Sequence, residues 1–160
     1  METIASLAHD FLSQPSIAVV GISSSHQTVA NGIYKKLRSG KRTLFAVGKH
    51  STAFEGDHCY PGLTSIPVPV GGVFIAASQE NIDHVVDECI ALHIPRLWIH
   101  HMGGTTNSGV ISPSVRQRCR DHSITLIPGA CPMMFVEDSD FGHRCIRWVL
   151  NAAGKLRTEA

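Results

Sequence analysis

Apolar residues recur along the chain in two alternating periods. Short continuous runs at Ser16–Val20, Thr43–Val47, Val73–Ala77, Leu97–His100 and Ile124–Ile127 have the length and composition of strands buried on both faces. Between them lie stretches with helical spacing: Val29, Ile33 and Leu37, stopped by Gly40, and Ile82, Val85, Val86, Cys89 and Ile90, which begin after Asn81 and end before Pro95. Ser112 followed by Pro113 is a cap and first-turn signature for a further helix to about Asp121. Two amphipathic segments flank this core. Ile4, Leu7, Ala8, Phe11 and Leu12 predict a helix over about 3–13, capped by Thr3, and Phe141, Cys145, Trp148, Val149 and Ala152 predict another over 139–153, capped by Ser139. Phe141 and Trp148 are read as core or as a homodimer face.

Alternating strands and helices predict an α/β fold: a three-layer, Rossmann-like, doubly wound sheet of five mainly parallel strands with helices on both faces. One domain is expected over 1–160, with its core at 16–132. The segment Gly48–Gly72, rich in Gly and Pro, reads as a long loop.

Composition narrows the function. A net charge of +1 gives no global reason to expect nucleic acid, and no apolar run reaches the length of a membrane span. Met1–Ser13 lacks the basic start and apolar block of a secretory signal. The five cysteines are scattered with no C-x-x-C spacing, so neither a disulfide framework nor a metal site is expected, and a reducing cytoplasm suits them.

Ligands of such folds bind beyond the carboxyl ends of the strands, where strand order reverses. That directs attention to Gly21, Ile22, Ser23, Ser24, Ser25 and His26, which join the first strand to a helix. Unpaired N–H groups, the positive end of the helix dipole and serine hydroxyls favour a phosphate or diphosphate there. From Gly21 to Phe54 there are six basic residues and no Asp or Glu. Lys35, Lys36 and Arg38 fall at the end of a helix, away from the loop, whereas Lys49 directly follows the second strand. At Val47-Gly48-Lys49-His50, a cation stands where NAD-binding proteins place an acid, which favours a ribose carrying an extra phosphate. Coenzyme A and NADP both qualify. The G-x-G-x-x-G fingerprint is absent, since residues 23 and 26 are Ser and His, and this favours coenzyme A.

These residues resemble the CoA-binding family of small Rossmann-like proteins, relatives of the nucleotide-binding domain of the succinyl-CoA synthetase alpha subunit. The resemblance rests on Val19-Val20-Gly21-Ile22-Ser23, Gly56, Cys59-Tyr60, Leu63, Ile66-Pro67, Val85-Val86, Glu88-Cys89, Leu97-Trp98-Ile99-His100 and Cys131-Pro132. It implies a diphosphate over Gly21–Ser25, adenosine near Val47–His50 and Ala76, Ala77 and Ser78, and a pantetheine arm towards His100 and Cys131. The chain departs from the family pattern at Gly48-Lys49, Ser78 and Gly71-Gly72.

No nucleophile-base-acid order or phosphate-loop lysine motif specifies a reaction. The first reading is therefore a module that binds coenzyme A or an acyl-CoA as a carrier or regulator, with a small-molecule nucleotide as its partner. The alternative is a small CoA- or NADP-dependent enzyme using Cys131, the best nucleophile candidate, or a nearby His such as His100 or His101.

Overall fold

The computed structural model describes residues 3–76, 79–100 and 111–136, with the side chains of residues 79 and 80 left aside. Helix α1 (Ile4–Leu12) opens the chain. The Thr3 hydroxyl accepts from the Ser6 N–H while the Ser6 hydroxyl accepts from the Thr3 N–H, the reciprocal pair of a capping box. There follow β1 (Ser16–Val20), α2 (Val29–Leu37), β2 (Thr43–Val47), β3 (Ala53–Phe54), β4 (Asp57–Tyr60), β5 (Gly72–Ile75), α3 (Gln79–Ala91), β6 (Arg96–Ile99), α4 (Pro113–Asp121) and β7 (Thr125–Pro128). Ser112 caps α4 as expected, its hydroxyl accepting from the Val115 N–H at 3.2 Å. The helix expected at 139–153 and the loop after His100 lie outside the described residues, as do Ala77 and Ser78.

The sheet has seven strands, not five, in the order β3-β4-β2-β1-β5-β6-β7. All neighbours run parallel except β3 and β4. The two additional strands come from the segment expected to be a loop. Glu55 (φ 53°) and Gly56 (φ 83°) form a two-residue turn with both central residues left-handed, which sets Ala53 opposite His58 and Phe54 opposite Asp57. Cys59 and Tyr60 then extend the sheet beside Ala46 and Val47. Neither strand shows in the apolar pattern, because Asp57-His58-Cys59-Tyr60 buries only Cys59 and its pairing is made by backbone groups.

Side chains alternate across the central strands. Ile17, Val19, Phe74, Trp98 and Ile127 pack towards α1 and α2, while Ala18, Val73, Ile75, Leu97 and Ile99 pack towards α3 and α4. Helix α1 is seated by the glycine at 72: a Cβ there would come within 2.6 Å of the Phe11 ring, which instead meets Trp98 edge-on at 5.3 Å. Arg96 ties the same helix to β6, pairing with Asp10 and donating to the Gly71 carbonyl at 3.3 Å. No helix among the described residues is long and apolar enough to cross a membrane.

Burial leaves several weak acids protonated. Burial pushes the Cys89 thiol up to about 12, from an ordinary 9.0, and also raises Cys59 and Cys119. Burial, with the hydrogen bond to Asp57, raises the Tyr34 phenol. Because these groups hold their protons longer in the folded chain than in the unfolded one, their contribution to stability is full below pH 9.0 and is lost as pH rises towards the folded values. Melting temperature should therefore fall progressively above about pH 9, with a shallower fall in Cys89→Ala relative to its own neutral value. A melting temperature constant from pH 8 to pH 11 would contradict this account.

Candidate functional site

The chain leaves β1 through a narrow gap at the carboxyl edge of the sheet. Strand order reverses here, with β2 on one side of β1 and β5 on the other. Gly21 adopts φ 107°, and a Cβ on it would come within 2.6 Å of the Ala76 carbonyl oxygen. The N–H groups of Gly21 and Ile22 both donate to the Val47 carbonyl at 3.0 Å, drawing the loop onto the end of β2. Gly48 completes the fit, since a Cβ there would lie 2.1 Å from the Ile22 carbonyl oxygen. Glycine at 48, one of the departures from the family pattern, leaves room for the Ile22 carbonyl in this chain.

Beyond the crossing, the serine loop is organised by one buried amide. Asn31, on the first turn of α2 and 1% exposed, accepts from the Ser23 N–H at 3.0 Å. Its Nδ2 donates to the carbonyls of Ser23 at 2.8 Å and His26 at 3.1 Å. Thr28 caps α2, accepting from the Asn31 N–H at 3.0 Å and donating to the Gly21 carbonyl at 2.9 Å. The buried Ser51, from the segment after β2, accepts from the Ser24 N–H at 2.9 Å. The Ser25 N–H donates to Ser23 Oγ at 3.3 Å.

This accounting changes how an anion would be held. All five N–H groups from Gly21 to Ser25 already have acceptors within the protein, so this stretch offers side chains instead of bare amides. The hydroxyls of Ser23 and Ser25 lie 3.1 Å apart and sit 3.0 and 3.1 Å from His26 Nδ1. Three polar groups therefore converge on one spot. Hydroxyls can donate to a phosphate, and a protonated imidazole adds charge.

That cluster forms one end of a cavity of about 290 Å³. Gly21, Ile22, Ser23, Ser25, His26, Val47, Gly48, Lys49 and His50 line it, so most of the expected site residues come together. Ser24 is exposed and is not among the residues lining that cavity; it lines a second depression beside Lys35, Phe54 and Glu55, which Ser23, Ser25 and His26 also border. His100 and Cys131 are not among the lining residues of the main cavity. His100 stacks on Phe74 at 6.1 Å, and half-buried Cys131 packs against the α1 and α2 side of the core.

Of the six cations in the acid-free stretch, Lys49 is the one lining the cavity. Lys35 pairs with Glu55 at 3.1 Å and Arg38 with Asp57 at 3.3 Å. Arg42 donates to the Leu12 carbonyl through Nε and Nη2, at 3.1 and 2.8 Å. Lys36 and Lys41 line a separate depression with it at the opposite edge of the sheet. Lys49 Nζ donates to Asn81 Oδ1 at 3.0 Å across the cavity mouth.

Sequence reasoning gave the opposite wall no role in the site, although Val85 and Glu88 were among the residues that carried the resemblance. Asn81, His84, Val85 and Glu88 repeat at the spacing of one face of α3 and turn that face to the cavity, with Pro61 and Gly62 beside them. The signal was available as a polar stripe interrupting the apolar face of a helix. Thr28 and Ser51 were also missed. A Thr three residues before Asn31 is a legible cap, but nothing local brings Ser51 to Ser24, 27 residues away.

Comparison with known proteins places this geometry. A family described as CoA binding domain matches residues 15–137. An ADP-forming acetate–CoA ligase from Archaeoglobus fulgidus is 33% identical over 73 residues, which is 46% of this chain and 11% of that protein. Among solved structures, a hypothetical protein from Pyrococcus horikoshii superposes with a TM-score of 0.73 at 17% identity, covering 86% of this chain and 92% of that one. A dinucleotide-forming acetyl-coenzyme A synthetase from Ca. Korarchaeum cryptofilum, in complex with phosphate and ADP, gives 0.64 at 18% identity over 72% of this chain and 25% of its own. At these identities the superpositions speak for the fold alone.

Replacing Asn31 by Ala removes the partners of three loop groups at once and should cost about 1–3 kcal/mol of stability. Faster hydrogen exchange at the Ser23 amide should accompany the loss. An Asn31→Ala protein as stable as the parent, with unchanged exchange at Ser23, would show that the loop holds its shape without that amide.

Proposed function

The chain belongs to the CoA binding domain family, and on that premise we propose that it binds coenzyme A or an acyl-CoA as a carrier or regulatory module. The observation that carries this reading is the cavity at the strand-order reversal, with hydroxyls and an imidazole at one end and Lys49 at its rim. In this reading the diphosphate meets Ser23, Ser25 and His26, and the phosphorylated ribose meets Lys49. The base then enters the part of the cavity lined by Val20, Val47 and Val85. The family match favours coenzyme A over NADP, and a cation in place of the ribose-binding acid suits a ribose phosphate.

Catalysis is the second reading, and what favours it is the half-buried position of Cys131, in contrast to the buried Cys59, Cys89 and Cys119. A cysteine thiol can exchange with a cofactor thiol or be acylated where it is accessible as thiolate. Its separation from the cavity supports keeping the binding module first.

Coenzyme A at millimolar concentration should raise the melting temperature, because a ligand selective for the folded state stabilises it by mass action. Absence of any shift would remove the proposal. Lys49→Ala should weaken coenzyme A roughly threefold to tenfold while changing dephospho-coenzyme A little. Equal losses for the two ligands would refute a contact between Lys49 and the ribose phosphate.

A further inference from the structure

The wall formed by α3 contains a carboxylate that the binding reading does not use. Glu88 is 9% exposed, and Oε1 accepts from the Thr64 N–H at 3.3 Å and from the Thr64 hydroxyl at 3.4 Å. Gly62 makes room for it, since a Cβ at 62 would lie 2.9 Å from Oε1. Oε2 lies on the other side, 3.8 Å from Nε2 of the largely exposed His84, and both residues line the cavity. One oxygen is thus pinned by two donors, and the other has acceptor capacity to spare.

Position along the helix says what would reach it. Asn81, which accepts from Lys49, and Glu88 are seven residues apart, about 10 Å along the axis. The intervening wall is Val85, which lines an apolar slot of the cavity together with Val20 and Val47, with which it shares a hydrophobic cluster, and with Pro61 and Gly62. That span is comparable to the reach from a ribose phosphate across the sugar to the far edge of a purine. A flat base in the slot would bring its edge to the carboxylate, which accepts hydrogen bonds and repels a carbonyl.

We propose that Glu88 is a specificity-determining residue that selects an amino-bearing purine, its cavity-side oxygen accepting from the exocyclic amine of adenine. This rests on the reading of the cavity as a nucleotide site. Gln at 88 has a definite consequence. Thr64 offers two donors, so the amide oxygen takes the Oε1 place and the NH2 group takes the Oε2 place, turning the selecting acceptor into a donor.

The test is isothermal titration of the full chain with adenosine 3′,5′-bisphosphate and with the purine riboside analogue that lacks the amine. The parent protein should bind the adenosine form at least about tenfold more tightly. Glu88→Gln should lose that preference and bind inosine 3′,5′-bisphosphate, which presents a carbonyl, better than the adenosine form. Equal affinity of the parent for the adenosine and purine forms overturns the inference, and needs no variant that might fold poorly. So does an unchanged preference in a folded Glu88→Gln protein. A bisphosphate that binds without base preference removes this inference alone, whereas failure of coenzyme A and both bisphosphates to bind removes the nucleotide reading with it.

Discussion

The site depends on one close crossing of backbone over backbone. Where β1 ends, the chain must pass between the ends of β2 and β5, and the space there admits no side chain at Gly21 or Gly48. A methyl group at either place would drive into a carbonyl oxygen, that of Ala76 just past β5 or that of Ile22 in the loop, and closely packed backbone has no room to yield. The Val47 carbonyl, accepting from two successive N–H groups, holds the loop down once it has crossed. The cavity, the serine cluster and the approach of Lys49 all follow from that seating.

The loop is preorganised at the expense of its own amides. A glycine-rich phosphate loop keeps N–H groups open for the ligand. Here Asn31, Ser51 and the Val47 carbonyl take them up, and the polar capacity passes to the Ser23, Ser25 and His26 side chains. Such a loop keeps its shape without ligand, so little ordering entropy remains to oppose binding. It also makes the site sensitive to residues remote in sequence, since Ser51 supports Ser24 from the other side of β2.

Charge followed a similar logic. The acid-free stretch gave a strong local excess in the sequence, but Glu55 and Asp57, just beyond its end, neutralise Lys35 and Arg38 across the hairpin of β3 and β4. Arg42 satisfies a helix-terminal carbonyl instead of a ligand. Charge per segment therefore overstated the field at the cavity, where Lys49, directly after β2, is the one cation of that stretch among the lining residues.

The sequence by itself determined the elements governed by short-range physics. Continuous apolar runs located the five central strands, and helical spacing located α1, α2, α3 and α4, to within a few residues, while Thr3 and Ser112 marked helix starts through bonds made within four residues. It also pointed to the loop after the first strand, and the structure puts a cavity beside that loop. Tertiary structure decided what depends on distant partners. Strands β3 and β4 exist through pairing at the sheet edge and leave almost no apolar trace. The engagement of the loop amides needed Asn31 and Ser51 in place. The polar face of α3 became a wall only when packed over β1 and β2, which brought Glu88 beside Gly62 and Thr64 from another part of the chain. Periodicity reports which face of an element is buried, and it is silent on what that face meets.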